Sequence, residues 1–343
     1  MKRLLLGLAI LILLVGCRSA SLTATATPGH SEAPNPTSVE TPSSRPQATQ
    51  TDQPARQPSS TPSSTPSPTP TLAPTALPTQ SSDLNLLLLG ADRSVGKDQS
   101  WRTDTLIIVA IRPRAGTIAM LSIPRDLWVN IPGHGQERIN AVDYMGETSL
   151  GQGGGPKLLA ATIKQNLGIA VDAYMRINFE GLERIIDALG GITIDSDRAM
   201  DEWFWDDTAP NGVSHMVVVK GPQHMDGHLA LQYARARHGT SDFDRSRRQQ
   251  QVLLAIRQAA LRPEVLPRIP SLLSALADTV ETNLQVNQVL PLIGLALRIK
   301  PGNYREQVFD GTMVRDWVTP DGAQVLLPNR ERINQVWQQL TAP

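Results

Sequence analysis

Three short apolar runs, Leu84 to Leu89, Thr105 to Ile111 and Thr117 to Ile123, set the strongest limit on what this chain can fold into. Each is too short for a stable helix. Each is also nearly continuous where a half-exposed strand would alternate, so each reads as a strand buried on both faces. A sheet of such strands needs a covering layer on either side. A fourth run, Leu127 to Ile131, follows a Pro-Arg-Asp turn. Further on, Pro156 to Leu167 reads as a helix closed by Gly168, Ala173 to Ile177 as a strand, Phe179 to Leu189 as a helix stopped by Gly190-Gly191, and Ile192 to Ile194 as a strand. Helical patterns at Arg245 to Leu261, Leu266 to Val280, Val286 to Lys300 and Arg330 to Leu340 close the chain, with strands at Gln307 to Phe309 and Val325 to Leu327. This alternation predicts an α/β protein with a single layered domain over residues 83–343 and no internal repeat.

What precedes Asp83 is of another kind. Residues 18–82 hold 13 of the chain's 27 prolines and no Phe, Trp or Tyr, so they cannot bury enough apolar surface to offset the entropy of ordering them. The stretch reads as a disordered tether, which at about 3 Å per residue could span about 200 Å. Before it, Lys2-Arg3, an apolar run from Leu4 to Val15, and Leu14-Val15-Gly16-Cys17 read as a secretion signal (residues 1–17) ending in a lipobox. The run falls short of the roughly 20 residues a membrane-spanning helix needs. A lipidated Cys17 would anchor the remainder to the outer face of the cytoplasmic membrane. Cys17 is the one cysteine present, so no intrachain disulfide supports the core.

The 32 basic and 32 acidic side chains cancel, so no net field points to nucleic acid, and the basic residues lie in no helix-turn-helix context. Placement matters more. Asp92 follows the first strand in Gly90-Ala91-Asp92-Arg93, and Asp104 precedes the second in Arg102-Thr103-Asp104. If those strands are neighbours, the two carboxylates meet at one sheet edge and could share a divalent cation, magnesium being suited to oxygen ligands; ordinary turn-capping aspartates would look the same. Arg125 lies just past the third strand. The densest cluster is Arg235 and Arg237, then Asp242-Phe243-Asp244-Arg245-Ser246-Arg247-Arg248-Gln249. Arg235 and Arg237 share a face only if the chain leaves the helix there. Asp242 or Asp244 is placed to cap the next helix, on which Arg245, Arg248 and Gln249 face one way. Converging guanidiniums call for a polyanion, and their forked donors suit phosphate.

Other patterns carry less. His224 and His228 lack the His-Glu-x-x-His context and read as surface residues. Gly151 to Gly155 lacks a Gly-Lys-Ser/Thr ending and reads as a flexible connector, and Ser122 has no Gly-x-Ser-x-Gly context.

Taken together, Leu-Leu-Gly-Ala-Asp-Arg, Arg-Thr-Asp-Thr, Ser-Ile-Pro-Arg-Asp, Arg-Ile-Asn-Ala, Phe-Glu-Gly-Leu with Asp-Ala-Leu-Gly-Gly-Ile, Tyr-Ala-Arg-Ala-Arg and Asp-Phe-Asp-Arg-Ser-Arg-Arg-Gln-Gln, between Asn85 and Leu261, resemble the LytR-CpsA-Psr family of cell-wall glycopolymer transferases. The resemblance implies a single α-β-α layered domain with a central mixed β-sheet and a groove for a polyprenyl tail. It also implies a magnesium-assisted phosphotransferase that moves a glycopolymer from a polyprenyl diphosphate to peptidoglycan and releases polyprenyl phosphate. By position, Asp92 and Asp104 correspond to metal-associated carboxylates, and Asp92, Asp104 and Arg125 to the catalytic set. Arg102, Arg125, Arg235, Arg237, Arg245 and Gln249 correspond to a diphosphate clamp, with Asp242 orienting it and Arg248 behind it. Where the family usually has Gly after Asp-Phe, this chain has Asp244, which would add a negative charge beside the clamp. A lipobox and tether stand where relatives carry an uncleaved transmembrane helix. A polyprenyl-diphosphate phosphohydrolase would use the same clamp, and a non-catalytic module binding polyprenyl phosphate would share much of it.

Overall fold

The computed structural model describes residues 83–92, 101–206, 209–237, 241–265, 267, 279–285, 288, 291–292, 295, 299 and 301–342. The expected signal segment, Cys17 and the tether lie outside the described residues. The strands in chain order are β1 (Leu84–Ala91), β2 (Thr103–Arg112), β3 (Thr117–Ile123), β4 (Trp128–Ile131), β5 (Gly135–Arg138), β6 (Ala173–Asn178), β7 (Ile192–Ser196), β8 (Met200–Trp205), β9 (Val213–Val218), β10 (Gly221–Met225), β11 (Val280–Thr282), β12 (Tyr304–Val308), β13 (Val314–Val318) and β14 (Gln324–Pro328). The helices are α1 (Val142–Leu150), α2 (Gly154–Leu167), α3 (Phe179–Ala188), α4 (Gly227–Arg235), α5 (Asp242–Ala260) and α6 (Arg330–Thr341).

Six strands form the central sheet in the order β11-β6-β1-β2-β3-β12. It is mixed: β1 runs parallel to β6 and β3 to β12, while β2 is antiparallel to both of its neighbours and β11 to β6. The apolar runs have the physical cause expected of them. Leu86, Leu88, Ile107, Val109, Ile118 and Met120 enter one core, and Leu87, Leu89, Leu106, Ile108, Leu121 and Ile123 enter the other. Each such burial contributes roughly 1.5–3 kcal/mol. Ile185 and Ile186 of α3, Tyr233 of α4 and Val252 and Ile256 of α5 cover the first face. Val142 of α1, Leu158, Leu159 and Ile163 of α2 and Ile333 and Val336 of α6 cover the second. The result is the layered α-β-α arrangement.

The Leu127 to Ile131 and Ile192 to Ile194 runs form the expected strands, in two-stranded sheets beside the central one, β4 pairing with β5 and β7 with β10. Other expectations need correcting. The Leu266 to Val280 pattern ends in strand β11 rather than in a helix, and most of its residues, like most of Val286 to Lys300, lie outside the described residues. Gly151 to Gly155 is not a simple connector, since Gly154 and Gly155 already belong to α2. A Cβ on Gly154 would lie 2.4 Å from the Gly146 carbonyl oxygen of α1, and one on Gly155 would lie 2.2 Å from Asp143 Oδ1. Glycine is required there because two helices cross at backbone contact.

Candidate functional site

The strand directions assemble the site. Since β1, β3, β6 and β12 all run the same way, their carboxyl ends share one sheet edge with the amino end of β2. That edge gathers Asp92 after β1, Asp104 at the start of β2, Arg125 after β3 and Phe179 after β6. Asp104 owes its placement to a β-bulge. Gly90 pairs with Thr105 and Ala91 with Thr103, so Asp104 is the extra residue on β2. Bulges re-aim a side chain and sharpen local twist. Gly90 permits this one, because a Cβ there would lie 2.9 Å from the Thr105 side chain.

A cleft of about 320 Å³ opens at this edge, and Asp92, Asp104, Arg125, Arg235, Arg237, Arg245 and Gln249 line it together with Trp203, Phe204 and Trp205. Helix α4 ends at Arg235 and Ala236 is extended, which brings both Arg235 and Arg237 to the cleft. Arg235 lies over the Phe179 ring at 4.5 Å from its centroid. The Arg237 backbone N–H donates to Glu202 at 2.9 Å. Arg125 donates to Asp104 Oδ2 at 2.9 Å and has Asp126 at 3.5 Å and Asp242 at 3.7 Å from its Nε. Asp242 in turn lies 2.6 Å from Arg245 Nη2, so it stands between two cleft arginines. Asn140 Nδ2 donates to Asp104 Oδ1 at 3.4 Å, and its backbone N–H donates to the Arg125 carbonyl at 3.3 Å.

Burial and charge act against each other here. Burial works to lower the Arg125 pKa, but Asp104, Asp126 and Asp242 together raise it. Burial lowers that of Arg245 despite Asp242, and Arg125 adds to the lowering. Burial also raises the pKa of Asp242, against the pull of Arg245 and Arg125. A folded pKa above the unfolded one gives a contribution to stability that is complete below the unfolded value and is lost as pH climbs through the folded value. Asp242→Asn is therefore expected to remove part of the decline in unfolding free energy that the wild type shows as pH rises above the ordinary aspartate range. Urea denaturation from about pH 4 to pH 7 checks it; parallel curves for the two proteins would contradict it.

Arg102, expected in the clamp, stands elsewhere, and Arg248, expected behind it, does not line the cleft. Arg102 is exposed and does not line the cleft; its carbonyl accepts the Asp92 N–H at 3.0 Å. Arg248 is buried and donates to the carbonyls of Tyr233, at 3.1 Å, and Ala236. Those carbonyls end α4, where the helix supplies no partner, so Arg248 holds the turn that presents Arg235 and Arg237. The cap of α5 is Ser241, not Asp242 or Asp244, and Asp244 completes a capping box with it. Asp244 also pairs with Arg247 at 2.7 Å and is not a cleft residue, so its charge is turned from the clamp. His228 contacts Glu183 at 3.1 Å and Asp206 at 3.3 Å, and Ser122 accepts from Gln250 at 2.8 Å inside the core. Residue patterns left Asn140, Asp126 and Glu202 without a role. The first belongs to the Arg-Ile-Asn-Ala motif, which was the available signal.

The residues fit a divalent cation in one respect only. Among the described residues no group of three or more His, Cys, Asp or Glu side chains could hold a metal unaided. Asp92 and Asp104 offer two hard carboxylates, and each Asp104 oxygen keeps a second lone pair beyond Arg125 and Asn140. One or two carboxylates completed by water and substrate phosphate is the donor set magnesium commonly takes.

A second, apolar pocket adjoins the cleft, lined by Leu88, Leu89, Met175, Val252 and Leu253. It shares Gly90, Thr105, Ile177, Leu182, Ala234 and Gln249 with the polar cleft. Fold and site thus define a three-layer α-β-α protein in which a basic cleft at the sheet edge adjoins an apolar pocket. The chain belongs to the LytR_cpsA_psr family, whose model matches residues 43–342.

The chain is 32% identical over 212 residues to polyisoprenyl-teichoic acid–peptidoglycan teichoic acid transferase TagU of Oceanobacillus iheyensis, covering 61% of this chain and 62% of that protein. It is 33% identical over 204 residues to the regulatory protein MsrR of Staphylococcus aureus strain Mu50, covering 59% and 56%. The chain thus spans about three fifths of the length of these curated relatives. Among solved structures, B. subtilis TagV matches with a TM-score of 0.61 at 26% identity, over 76% of this chain and 98% of that one. TagT bound to LI-WTA matches with a TM-score of 0.56 at 25% identity, over 75% and 89%.

Proposed function

We propose that this protein transfers a glycopolymer from a polyprenyl diphosphate to peptidoglycan, at the outer face of the cytoplasmic membrane, to which a lipidated Cys17 anchors it. The observation that carries the reading is the adjacency of the two cavities, which share six lining residues. An arginine-lined cleft suits a diphosphate, and the apolar pocket beside it suits the first carbons of a lipid tail. The transferase name of the relative TagU and the ligand in the TagT structure agree with this reading.

In this mechanism Arg125, Arg235, Arg237 and Arg245 neutralise the diphosphate, with Asp242 fixing the angle between Arg125 and Arg245. Gln249 reaches the same cavity and donates a neutral hydrogen bond. Asp92 and Asp104 would hold magnesium, which supplies further charge neutralisation at the phosphate oxygens. An acceptor sugar hydroxyl attacks the sugar-proximal phosphorus, its proton passes to Asp92 or Asp104, and the bond to the lipid-proximal phosphate breaks. Polyprenyl phosphate leaves, and a phosphodiester joins glycan to wall. Such a reaction asks mainly for positioning and charge stabilisation from the protein.

The test is to follow a labelled polyprenyl diphosphate glycan with and without peptidoglycan, before and after chelation of divalent ions. Label is expected to move to peptidoglycan and to stop moving on chelation until magnesium is returned. Release of free glycan phosphate in abundant acceptor would identify a hydrolase instead. Tight lipid binding without product under any ion would identify a binding module.

A further inference from the structure

The strand β8 alternates in an unusual sense. Glu202 and Phe204 turn inward, while Trp203 and Trp205 are 63% and 84% exposed. Large exposed indoles on a strand need a reason, because burying them elsewhere is the usual gain. Both line the same cleft as the arginines. Neither lines the adjoining apolar pocket. Trp203 is also held: His215, its cross-strand partner, stacks on it at 4.3 Å between centroids and 9° between planes, and Asp201 bonds the His215 ring at 2.7 Å.

We infer that Trp203 and Trp205 form a stacking shelf for the sugar ring attached to the diphosphate of the donor. The inference rests on the function proposed above and names a part of its substrate site. The distribution of chemistry between the two cavities is its ground. The tryptophans line the arginine cleft and not the apolar pocket, so they stand with the groups that suit the polar part of a donor, its diphosphate and sugar, and away from those that suit its tail. A pyranose presents axial C–H bonds on one face, and these meet the electron-rich face of an indole favourably, while its hydroxyls stay in water. Asp201 fixes His215, and His215 fixes Trp203, so one indole plane is set before the ligand arrives. Little ordering entropy then opposes binding. The exposed Val217 and Val219 nearby would suit a bilayer instead, and the experiment separates the two.

The full chain, with Trp203→Ala and Trp205→Ala together and with Trp205→Phe alone, is titrated with two detergent-solubilised probes: polyprenyl diphosphate without sugar, and the same lipid carrying one N-acetylhexosamine. Circular dichroism confirms folding. The double variant is expected to lose roughly tenfold in affinity for the sugar-bearing lipid and nothing for the bare one, and Trp205→Phe to keep most of it. Equal losses for both lipids, or no loss for either, overturn the shelf while leaving the diphosphate site standing. Loss of binding to phosphatidylglycerol vesicles without donor, with sugar discrimination intact, overturns it in favour of a membrane contact. A wild-type protein that binds neither lipid removes the proposed function and the shelf with it.

Discussion

Arg125→Ala is expected to lower glycopolymer transfer by about a hundredfold or more, equivalent to about 3 kcal/mol of transition-state stabilisation. Three carboxylates face this guanidinium: Asp104 at 2.9 Å, Asp126 at 3.5 Å and Asp242 at 3.7 Å. They fix it in place, and its side chain is only 16% exposed, so it enters the reaction already oriented and partly desolvated. Preorganised charge of that kind is worth more than a mobile surface arginine. Removing it has a second effect, since Asp104 and Asp242 would then face the phosphates with less positive charge between them. Arg125→Lys restores the charge without the fork that spans Asp104 and Asp242, so it should recover only a small part of the loss. The measurement is turnover against donor concentration. A fall in kcat matched by kcat/KM would place the lost interaction in the transition state, whereas a change confined to KM would make Arg125 a binding residue only. Wild-type-like rates in Arg125→Ala would falsify the site.

The legibility of this site in sequence follows from what each residue packs against. The first three strands could be read because both their faces are buried, and so nothing interrupts the apolar run. Asp92, Asp104 and Arg125 could be read because they sit where those runs stop. Strand β8 could not, because its burial is reversed: Glu202 is inside, accepting the Arg237 N–H, and two tryptophans are outside. A period-two pattern with the polarity inverted looks like no pattern at all. Helix α1 was hidden for a related reason, since the face it buries carries Asp143 and Gly146 beside Val142. Arg248 shows the limit of helical spacing as an argument. It falls on the expected side of α5 relative to Arg245 and Gln249, yet the carbonyls at the end of α4 capture it, and no count of residues along one helix reveals the end of another.

The largest effect on stability is expected at a charge no motif singled out. Asp143 is fully buried, pairs with Arg176 at 2.8 Å, and accepts from Thr103 Oγ1 at 2.9 Å and Trp101 Nε1 at 3.2 Å. Burial works to lower the Arg176 pKa, but Asp143 and Glu281 outweigh it and raise it, so the guanidinium stays charged in the interior. Asp143→Ala would leave that charge without its one fully buried partner, with Glu147 and Glu281 still beside it, and breaking a buried pair from one side costs about 3–5 kcal/mol. Urea denaturation should show this as a fall in midpoint with an unchanged slope. The pair has a second consequence, because Thr103 is the residue before the bulged Asp104. Asp143→Leu combined with Arg176→Met removes both charges and should regain much of the stability, as apolar replacements of buried ion pairs often do, because Glu147 keeps the Gly153 and Gly155 N–H donors and Glu281 is half-exposed. It cannot regain the anchor on Thr103 and Trp101. Turnover in the double variant is therefore expected to stay well below wild type after stability has recovered. If activity returned in step with the denaturation midpoint, Asp143 would be a structural ion alone, and the bulge at Asp104 would be held by the sheet without it.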